Sequence, residues 1–224
     1  MKVVVFSIFP KVIEDYCSVS ILGRAQDSGA LELSCIDIRD FTHDRHRSVD
    51  DLPYGGGAGM VMRPEPIFEA IEETKPPRPL FLMAPWGRPL DQGFARELSE
   101  LEGFSLLCGR YEGVDARVEE HLVDGAISLG NFVLAGGEVA AMATIEAAAR
   151  LLPNVLGNHE SLYEESFCNN QVEYPQYTRP EHFRDLSVPE VLLGGNHAEV
   201  ARWRKESALE RTRSKRPDLL PHLD

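Results

Sequence analysis

Three glycine-containing segments each follow a short apolar run, and their residue types suit the binding of a small ligand. They read MAPWGRPLDQ at 83–92, LCGRYEGVDARV at 107–118 and ISLGNFVLAGGE at 127–138. Glycine lacks the Cβ that would keep the backbone away from a ligand, and the apolar residues between the glycines suit the face of a flat, mostly uncharged group such as adenine. None of the three matches the G-x-G-x-x-G dinucleotide fingerprint or the G-x-x-x-x-G-K-[ST] phosphate loop. We therefore predict a pocket in which backbone amides and carbonyls recognise such a group.

A fourth glycine-rich segment, YGGGAG at 54–59, offers an alternative chemistry, because a loop of this kind can bind a phosphate. Neither a Lys-Ser/Thr pair nor the start of a helix follows it, so the nucleotide-phosphate reading is weak.

The histidines and cysteines give no metal pattern. His43 and His46 stand three residues apart with Asp44 between them, but the sequence supplies no third ligand beside them. The four cysteines form no C-x-x-C pair, so we expect reduced, mostly buried thiols. We predict no metal site from the residues themselves.

The elements that must position the glycine segments alternate between strand and helix. Apolar or β-branched runs at 3–9, 31–38, 79–85 and 104–109 predict strands, and helical patterns lie between them and at 138–153, where the last helix is expected to stop at Pro153. This alternation predicts an α/β fold with a mostly parallel sheet covered on both faces. Ligands bind such sheets at the carboxyl ends of the strands, where the three segments fall. Apart from its glycines, the segment 127–138 has the composition of a buried stretch.

The pattern changes after residue 153, which predicts a second, smaller domain. Residues 154–180 are polar, contain prolines and show no clear period, so we expect a linker there. Beyond it, Asn196 is the predicted N-cap of a long helix. We therefore expect a first domain at 1–153, the linker at 154–180 and a small helical domain at 181–224.

Composition and charge limit the classes of function. The chain has 224 residues, 43% of them hydrophobic, and a formal net charge of −13, which argues against non-specific affinity for nucleic acid. Basic residues are nevertheless concentrated at 202–216 and 41–47; such clusters fit either a solvated helix face or a specific, shaped nucleic-acid partner. No stretch has the roughly 20 apolar residues of a membrane span. We expect a cytoplasmic protein with no membrane association.

Longer motifs carry a resemblance to a known family. They are DFTHDRHRSVDDLPYGGGAGMVM at 40–62, CGRYEGVDARV at 108–118, SLGNFVLAGGE at 128–138, PQYTRPEHF at 175–183 and VPEVLLGGNHAEVARWR at 188–204. In this order and nearly end to end, they resemble the bacterial tRNA (guanine-N1)-methyltransferases, the TrmD family. The resemblance implies a SPOUT-class methyltransferase with a deep trefoil knot. The glycines would then let the chain wrap through the knot and hold S-adenosyl-L-methionine in a bent form.

The implied reaction is methyl transfer to N1 of the guanosine immediately 3′ of the tRNA anticodon, position 37 of the tRNA. Guanine N1 carries a proton, so a base must remove it, and a cation must stabilise the charge that moves toward O6. By resemblance the cation is Arg150, although a basic residue also suits a helix C-terminus for electrostatic reasons alone. The family's base is an Asp before Ser-Phe; this chain has Glu165 there, with Glu164 as the fallback.

The resemblance also assigns a cofactor pocket. The family usually has an Asp in the third segment where this chain has Asn131, and we expect Asn131 to make the same turn-capping hydrogen bonds. Glu112 is a carboxylate available near the cofactor or a metal; the family implies magnesium, with ligands that the sequence does not identify. The cofactor-binding residues expected by resemblance are Met83, Ala84, Pro85, Gly109, Tyr111, Glu112, Gly113, Ser128, Leu129, Gly130, Asn131, Phe132, Val133, Leu134, Gly136 and Gly137.

Family members are homodimers whose active site draws on both subunits, the cofactor pocket from one chain and the linker and C-terminal domain from the other. The implied partner is the anticodon stem and loop of tRNA. Trp203 or Tyr177 could stack on a loop base, but a lone Trp on a helix is more often part of a core. The cluster of His43, His46 and Asp50 is expected to face the target nucleotide or the subunit interface. The positions expected to bind tRNA are Arg24, His43, His46, Asp50, Arg179, Arg202 and Arg204.

A second hypothesis remains open in addition to the methyltransferase. A knotted relative that binds RNA or cofactor without efficient chemistry is supported by two departures from the family pattern, Glu165 and Asn131.

Overall fold

The computed structural model describes residues 1–157 and 165–220 of the chain. The chain divides into two compact units, Met1–Gly157 and Asn158–Asp224. Within the described residues, no helix is both long and apolar enough to cross a membrane.

The first unit is built on a five-stranded parallel sheet with a separate two-stranded hairpin. The strands are β1 Lys2–Ser7, β2 Glu32–Asp37, β3 Asp50–Asp51, β4 Val61–Met62, β5 Leu80–Pro89, β6 Gly103–Cys108 and β7 Gly125–Ser128. The sheet order is β2-β1-β6-β5-β7, every neighbouring pair is parallel, and β3 and β4 form the antiparallel hairpin. The central strands β1 and β6 are buried almost throughout, which agrees with their continuous apolar runs. The predicted mostly parallel sheet is confirmed.

Helices cover both faces of this sheet. They are α1 Pro10–Cys17, α2 Ser20–Asp27, α3 Pro64–Thr74, α4 Gln92–Ser99, α5 Ala116–His121 and α6 Glu138–Ala149, with a 3₁₀ helix at Ile38–Phe41. One apolar cluster joins the sheet to α1, α2, α4 and α6, and a second joins its other face to α3 and α5. Crossovers on both faces are what a parallel sheet requires.

Helix α6 ends earlier than the sequence predicted. Its last residue is Ala149 and Arg150 is its C-cap, so the expected stop at Pro153 is wrong by one turn. The reason is a change of hydrogen bonding: Leu151 N donates to Ala148 O and Leu152 N to Ala149 O, both at 3.1 Å, which tightens the last turn. This turn lets Leu152 and Val155 enter the core.

The second unit contains a short hairpin and one long helix. Its elements are β8 His182–Phe183, β9 Leu186–Ser187, a 3₁₀ helix at Glu190–Leu192, α7 His197–Lys215 and a 3₁₀ helix at Pro217–Leu219. The predicted N-cap is confirmed, since Asn196 Oδ1 accepts hydrogen bonds from Ala198 N at 3.2 Å and Glu199 N at 3.4 Å. The hairpin was not predicted, because two-residue strands leave almost no periodicity.

Candidate active site

A cavity of about 330 Å³ lies beside β5, at the carboxyl ends of β6 and β7. Its walls come from the three glycine-containing segments: residues 82–86, residues 109–114 and residues 127–137. The first wall is a bulge within β5, where the pairing with β7 shifts between Met83 and Arg88. The sheet therefore brings together three segments that are separate in the sequence.

All of the residues predicted at the cofactor pocket except Asn131 line this cavity. The structure also adds residues that sequence reasoning missed. Those with chemistry or bulk to contribute are Trp86, Arg110 and Glu119. Trp86 and Arg110 lie inside the quoted motifs but carried no pattern of their own, and Glu119 stands in the first turn of α5.

The segment after β7 is an exposed surface loop. The expectation of a buried stretch, which came from its apolar composition, is therefore wrong. Phe132 is 54% exposed, Val133 83% and Leu134 39%. The chain turns outward at Gly130, whose φ of +144° favours glycine, and Gly130 N donates to Ser128 Oγ at 3.2 Å. Its apolar side chains stand at the cavity mouth, where a ligand or a partner could cover them.

Close packing explains the glycine at position 137, directly before α6. A Cβ there would lie 2.8 Å from Cys108 Cα and 2.9 Å from Met83 Cβ, closer than real side chains approach. Its φ of −79° is open to any residue, so the requirement is close packing and not backbone conformation. The start of α6 thus rests directly on β5 at Met83 and on the end of β6.

Two carboxylates, Glu112 and Glu119, line the cavity. Glu112 N donates to Met60 O at 2.9 Å, and its side chain occupies the space where a Cβ on Gly59 would lie. The glycine-rich segment 54–59 therefore faces a carboxylate at its Gly59 end, which would repel a phosphate. This contact argues against the nucleotide-phosphate reading.

Tyr111 connects the cavity to the β3–β4 hairpin. Burial and then the Asp50 carboxylate, which accepts a hydrogen bond from the phenol, raise the pKa of Tyr111 above its ordinary value. Asp50, expected at the RNA, thus contacts a cavity residue.

The two expected catalytic residues do not line this cavity. Arg150 follows the last residue of α6, whereas the first residues of that helix stand at the cavity. Glu165 belongs to the second unit, where it lines a separate cavity of about 320 Å³ together with Tyr174, His197 and Arg204. Glu164, the fallback base, lies outside the described residues.

The remaining positions expected at the RNA or the interface are mostly exposed. Arg24 on α2, Arg179 and Arg202 are exposed. His43 is exposed with its Nε2 2.9 Å from Glu69 Oε1, and His46 N donates to Asp44 Oδ1 at 2.8 Å.

Arg204 and Trp203 belong to an aromatic cluster of the second unit. The Arg204 guanidinium lies 4.8 Å from the centroid of the Tyr174 ring. The Trp203 ring packs 6.5 Å from Tyr174 and 6.3 Å from Tyr177. Trp203 is thus half-buried in local packing of the second unit.

Within residues 1–157 and 165–220, no three His, Cys, Asp or Glu side chains come together in a way that could hold a metal ion. The described residues therefore do not form a ready site for the magnesium that the family resemblance implies.

Comparisons with known proteins agree with this geometry. The family model for tRNA (Guanine-1)-methyltransferase TrmD matches residues 1–222. The chain is 53% identical over 218 residues to a tRNA (guanine-N(1)-)-methyltransferase of Caldanaerobacter subterraneus subsp. tengcongensis, covering 96% of this chain and 90% of the relative. It is 51% identical to the protein of the same name from Gloeobacter violaceus, covering 99% of both chains. A third such protein, from Citrifermentans bemidjiense, is 50% identical over all of this chain and 91% of its own length. The chain therefore belongs to the tRNA (guanine-1)-methyltransferase TrmD family.

Proposed function

We propose that this member of the TrmD family transfers a methyl group from S-adenosyl-L-methionine to N1 of the guanosine immediately 3′ of the tRNA anticodon. The observation that carries the proposal is the cavity beside β5 and at the carboxyl ends of β6 and β7, whose walls are the glycine segments that resemble the family's cofactor motifs. Because tRNA is the substrate, we propose that the protein acts in the cytoplasm.

The residues at the cavity fit this cofactor. Leu129, Leu134 and Pro85 offer apolar surface for a flat base, and the glycines expose backbone amides and carbonyls between them. Glu112 and Glu119 supply negative charge for a ligand that carries a sulfonium and an ammonium group. When bound, S-adenosyl-L-methionine supplies an electrophilic methyl group.

A SPOUT-class trefoil knot is part of the proposal. Its support is the contact between two of the cavity segments: Arg110 and Gly136 pair as an antiparallel bridge, and Gly137 N donates to Gly109 O at 2.9 Å. The segment after β7 thus returns to the end of β6 before α6 begins. A chain that passes back through a preceding loop at this point would be knotted.

The protein has two tasks at the acceptor base. We assign Glu165 to take the proton from guanine N1, since an ionised carboxylate accepts a proton at hydrogen-bond distance. We assign Arg150 to stabilise the charge that develops at O6. Alignment of the acceptor nitrogen with the methyl group is the remaining requirement.

The position of Arg150 supports a composite site in a homodimer. Helix α6 has 12 residues, so its C-cap is about 18 Å from its start at the cavity. An arginine at that distance does not reach a ligand in the cavity of its own chain. We propose that a second copy of the chain supplies catalytic groups to each cavity, including Glu165 from its linker at 154–180.

The second unit is proposed to bind the anticodon stem and loop. Helix α7 carries most of the basic cluster at 202–216, including Arg202, and Arg179 is exposed in the preceding segment. These cations would contact phosphates, whereas the identity of the target base is read at the active site.

The direct test uses magnesium, labelled S-adenosyl-L-methionine and two unmodified tRNA transcripts that differ only in guanosine or adenosine just 3′ of the anticodon. We expect methyl incorporation into the guanosine transcript alone, mapped to N1. Arg150→Ala and Glu165→Gln should each lower kcat by at least about 100-fold. The matched controls are Arg96→Ala, an exposed basic residue near the C-terminus of α4, and Glu181→Gln, an exposed carboxylate of the second unit. Both controls should retain activity.

The alternative, a relative without efficient chemistry, makes a different prediction. It requires cofactor binding by calorimetry with no incorporation into either transcript, and a Glu165→Asp substitution that restores the family's residue would then restore methylation. Full activity of Glu165→Gln would contradict the assignment of the base.

A further inference from the structure

A buried ion pair lies behind the loop that forms one wall of the cavity. Glu138 is only 2% exposed. Its Oε1 accepts a hydrogen bond from Ser7 Oγ at 2.7 Å, and its Oε2 accepts one from Arg110 Nε at 2.9 Å. Ser7 ends β1, Arg110 follows β6 and Glu138 begins α6. The pair therefore joins three elements that are distant in sequence.

Arg110 in turn contacts the glycine loop, which we define as residues 129–137. Its Nη1 donates to Ala135 O at 3.4 Å. Its side chain also lies against Gly136, where a Cβ would collide with the guanidinium. Ala135, Gly136 and Arg110 itself all line the cavity. Any movement of the guanidinium therefore moves the wall.

Interactions on two sides hold the Arg110 guanidinium in a single position. A carboxylate taken out of water is costly unless a cation and hydrogen bonds compensate it, so Glu138 holds Arg110 close. On its other side, the guanidinium lies 4.6 Å from the centroid of the Phe9 ring, which attracts a cation. Phe9 N also donates to Ser7 Oγ at 2.8 Å, which fixes the hydroxyl that contacts Glu138.

We propose that Glu138 is a positioning residue for cofactor binding. Through Arg110 it holds the glycine loop in the conformation that receives S-adenosyl-L-methionine, although Glu138 itself does not line the cavity. This inference rests on the proposed function, since it takes S-adenosyl-L-methionine as the ligand of the cavity.

The test is a double-mutant cycle with Glu138→Gln and Arg110→Gln in the full chain. Calorimetric titration with S-adenosyl-L-methionine gives Kd without tRNA, and the methylation assay gives KM and kcat. We expect each single variant to raise Kd and KM for the cofactor about tenfold, with kcat at saturating cofactor within about twofold of wild type. The double variant should also lose only about tenfold, because both substitutions remove the same interaction.

Glu97→Gln is the matched control. Glu97 accepts hydrogen bonds from Arg88 Nη1 at 2.6 Å and Nη2 at 2.7 Å, so it belongs to a carboxylate–arginine pair that does not line this cavity. Its Kd for the cofactor should equal that of wild type.

Two results would overturn the inference. One is an unchanged Kd in Glu138→Gln, with or without a loss of thermal stability; the other is a double variant whose losses multiply to about 100-fold. A wild-type protein that binds the cofactor but methylates neither transcript would contradict the proposed reaction instead, and the comparison of Kd values would still decide this inference.

Discussion

A single added methyl group at Gly137 is expected to disturb the wall of the cavity. The new Cβ would meet Cys108 Cα and Met83 Cβ, atoms of two core strands that cannot rotate away. Overpacking of this kind costs about 1–3 kcal/mol. We therefore expect Gly137→Ala to lower the free energy of unfolding by that amount in urea and to weaken S-adenosyl-L-methionine binding in calorimetry.

Gly157 is the control for this substitution. A Cβ there would meet nothing within 4 Å, and its φ is not in the left-handed region. Gly157→Ala should leave stability within about 0.5 kcal/mol of wild type and cofactor binding unchanged. Equal stability of the two variants would show that α6 can shift away from the strands, contrary to the packing described here.

The cysteines give a second prediction for individual residues. Burial raises the pKa of Cys17 to about 11 and that of Cys35 to about 12, and it raises the pKa of Cys108 well above its ordinary value. A raised pKa keeps these thiols protonated, and the thiolate is the reactive form. Near pH 8, a thiol reagent should therefore leave Cys17, Cys35 and Cys108 of the native protein largely unmodified. Unfolding should expose all four.

Mass spectrometry of the alkylated protein identifies the modified thiols, and comparison of the native with the urea-unfolded protein shows which thiols the fold protects. Rapid native-state modification of Cys108 would contradict its burial in β6.

At the scale of the elements, the sequence predicted the sheet strands and the cavity segments because both leave local signals. An apolar run that ends in glycine marks a strand and the loop after it, as at Gly109 and Gly130. The side-chain partners leave no such signal: Arg110 and Glu138 are 28 residues apart, and only the parallel order of β1 and β6 brings Ser7 to the same place. Composition likewise did not distinguish the exposed Phe132 and Val133 from a buried strand, since hydrophobicity alone does not report what covers a loop.

Helix α7 offers a prediction for a whole element. Asn196 Oδ1 satisfies two backbone N–H groups that have no partner within the helix. Asn196→Ala should therefore lower the stability of the second unit by about 1 kcal/mol, whereas Asn196→Asp, which keeps an acceptor oxygen, should stay close to wild type. Urea unfolding followed by far-ultraviolet circular dichroism measures both. Equal stabilities of the Ala and Asp variants would mean that the cap contributes nothing measurable.

At the scale of the whole molecule, the proposed composite site predicts that two inactive chains restore each other's activity. Ala135→Trp should block the cavity of its own chain at an exposed position, and Glu165→Ala should remove the proposed base. In a heterodimer of the two variants, the open cavity of the Glu165→Ala chain would face the intact Glu165 of its partner. After unfolding and refolding of an equal mixture, about a quarter of all sites should be active, since half of the dimers are mixed and each has one complete site.

The converse mixture gives the control for complementation. Refolding wild type with the Ala135→Trp/Glu165→Ala double variant makes every mixed dimer inactive if each site draws on both chains. In such a dimer, the wild-type cavity faces a partner that lacks Glu165, and the cavity of the variant chain is blocked. The activity per wild-type chain should fall to about half at an equal ratio. If one chain supplied its own cavity and its own base, the single-variant mixture would stay inactive and the wild-type chains would keep full activity. The distance between Arg150 and the start of α6 leads us to expect the composite result, because Arg150 lies too far from the cavity of its own chain to reach a ligand there.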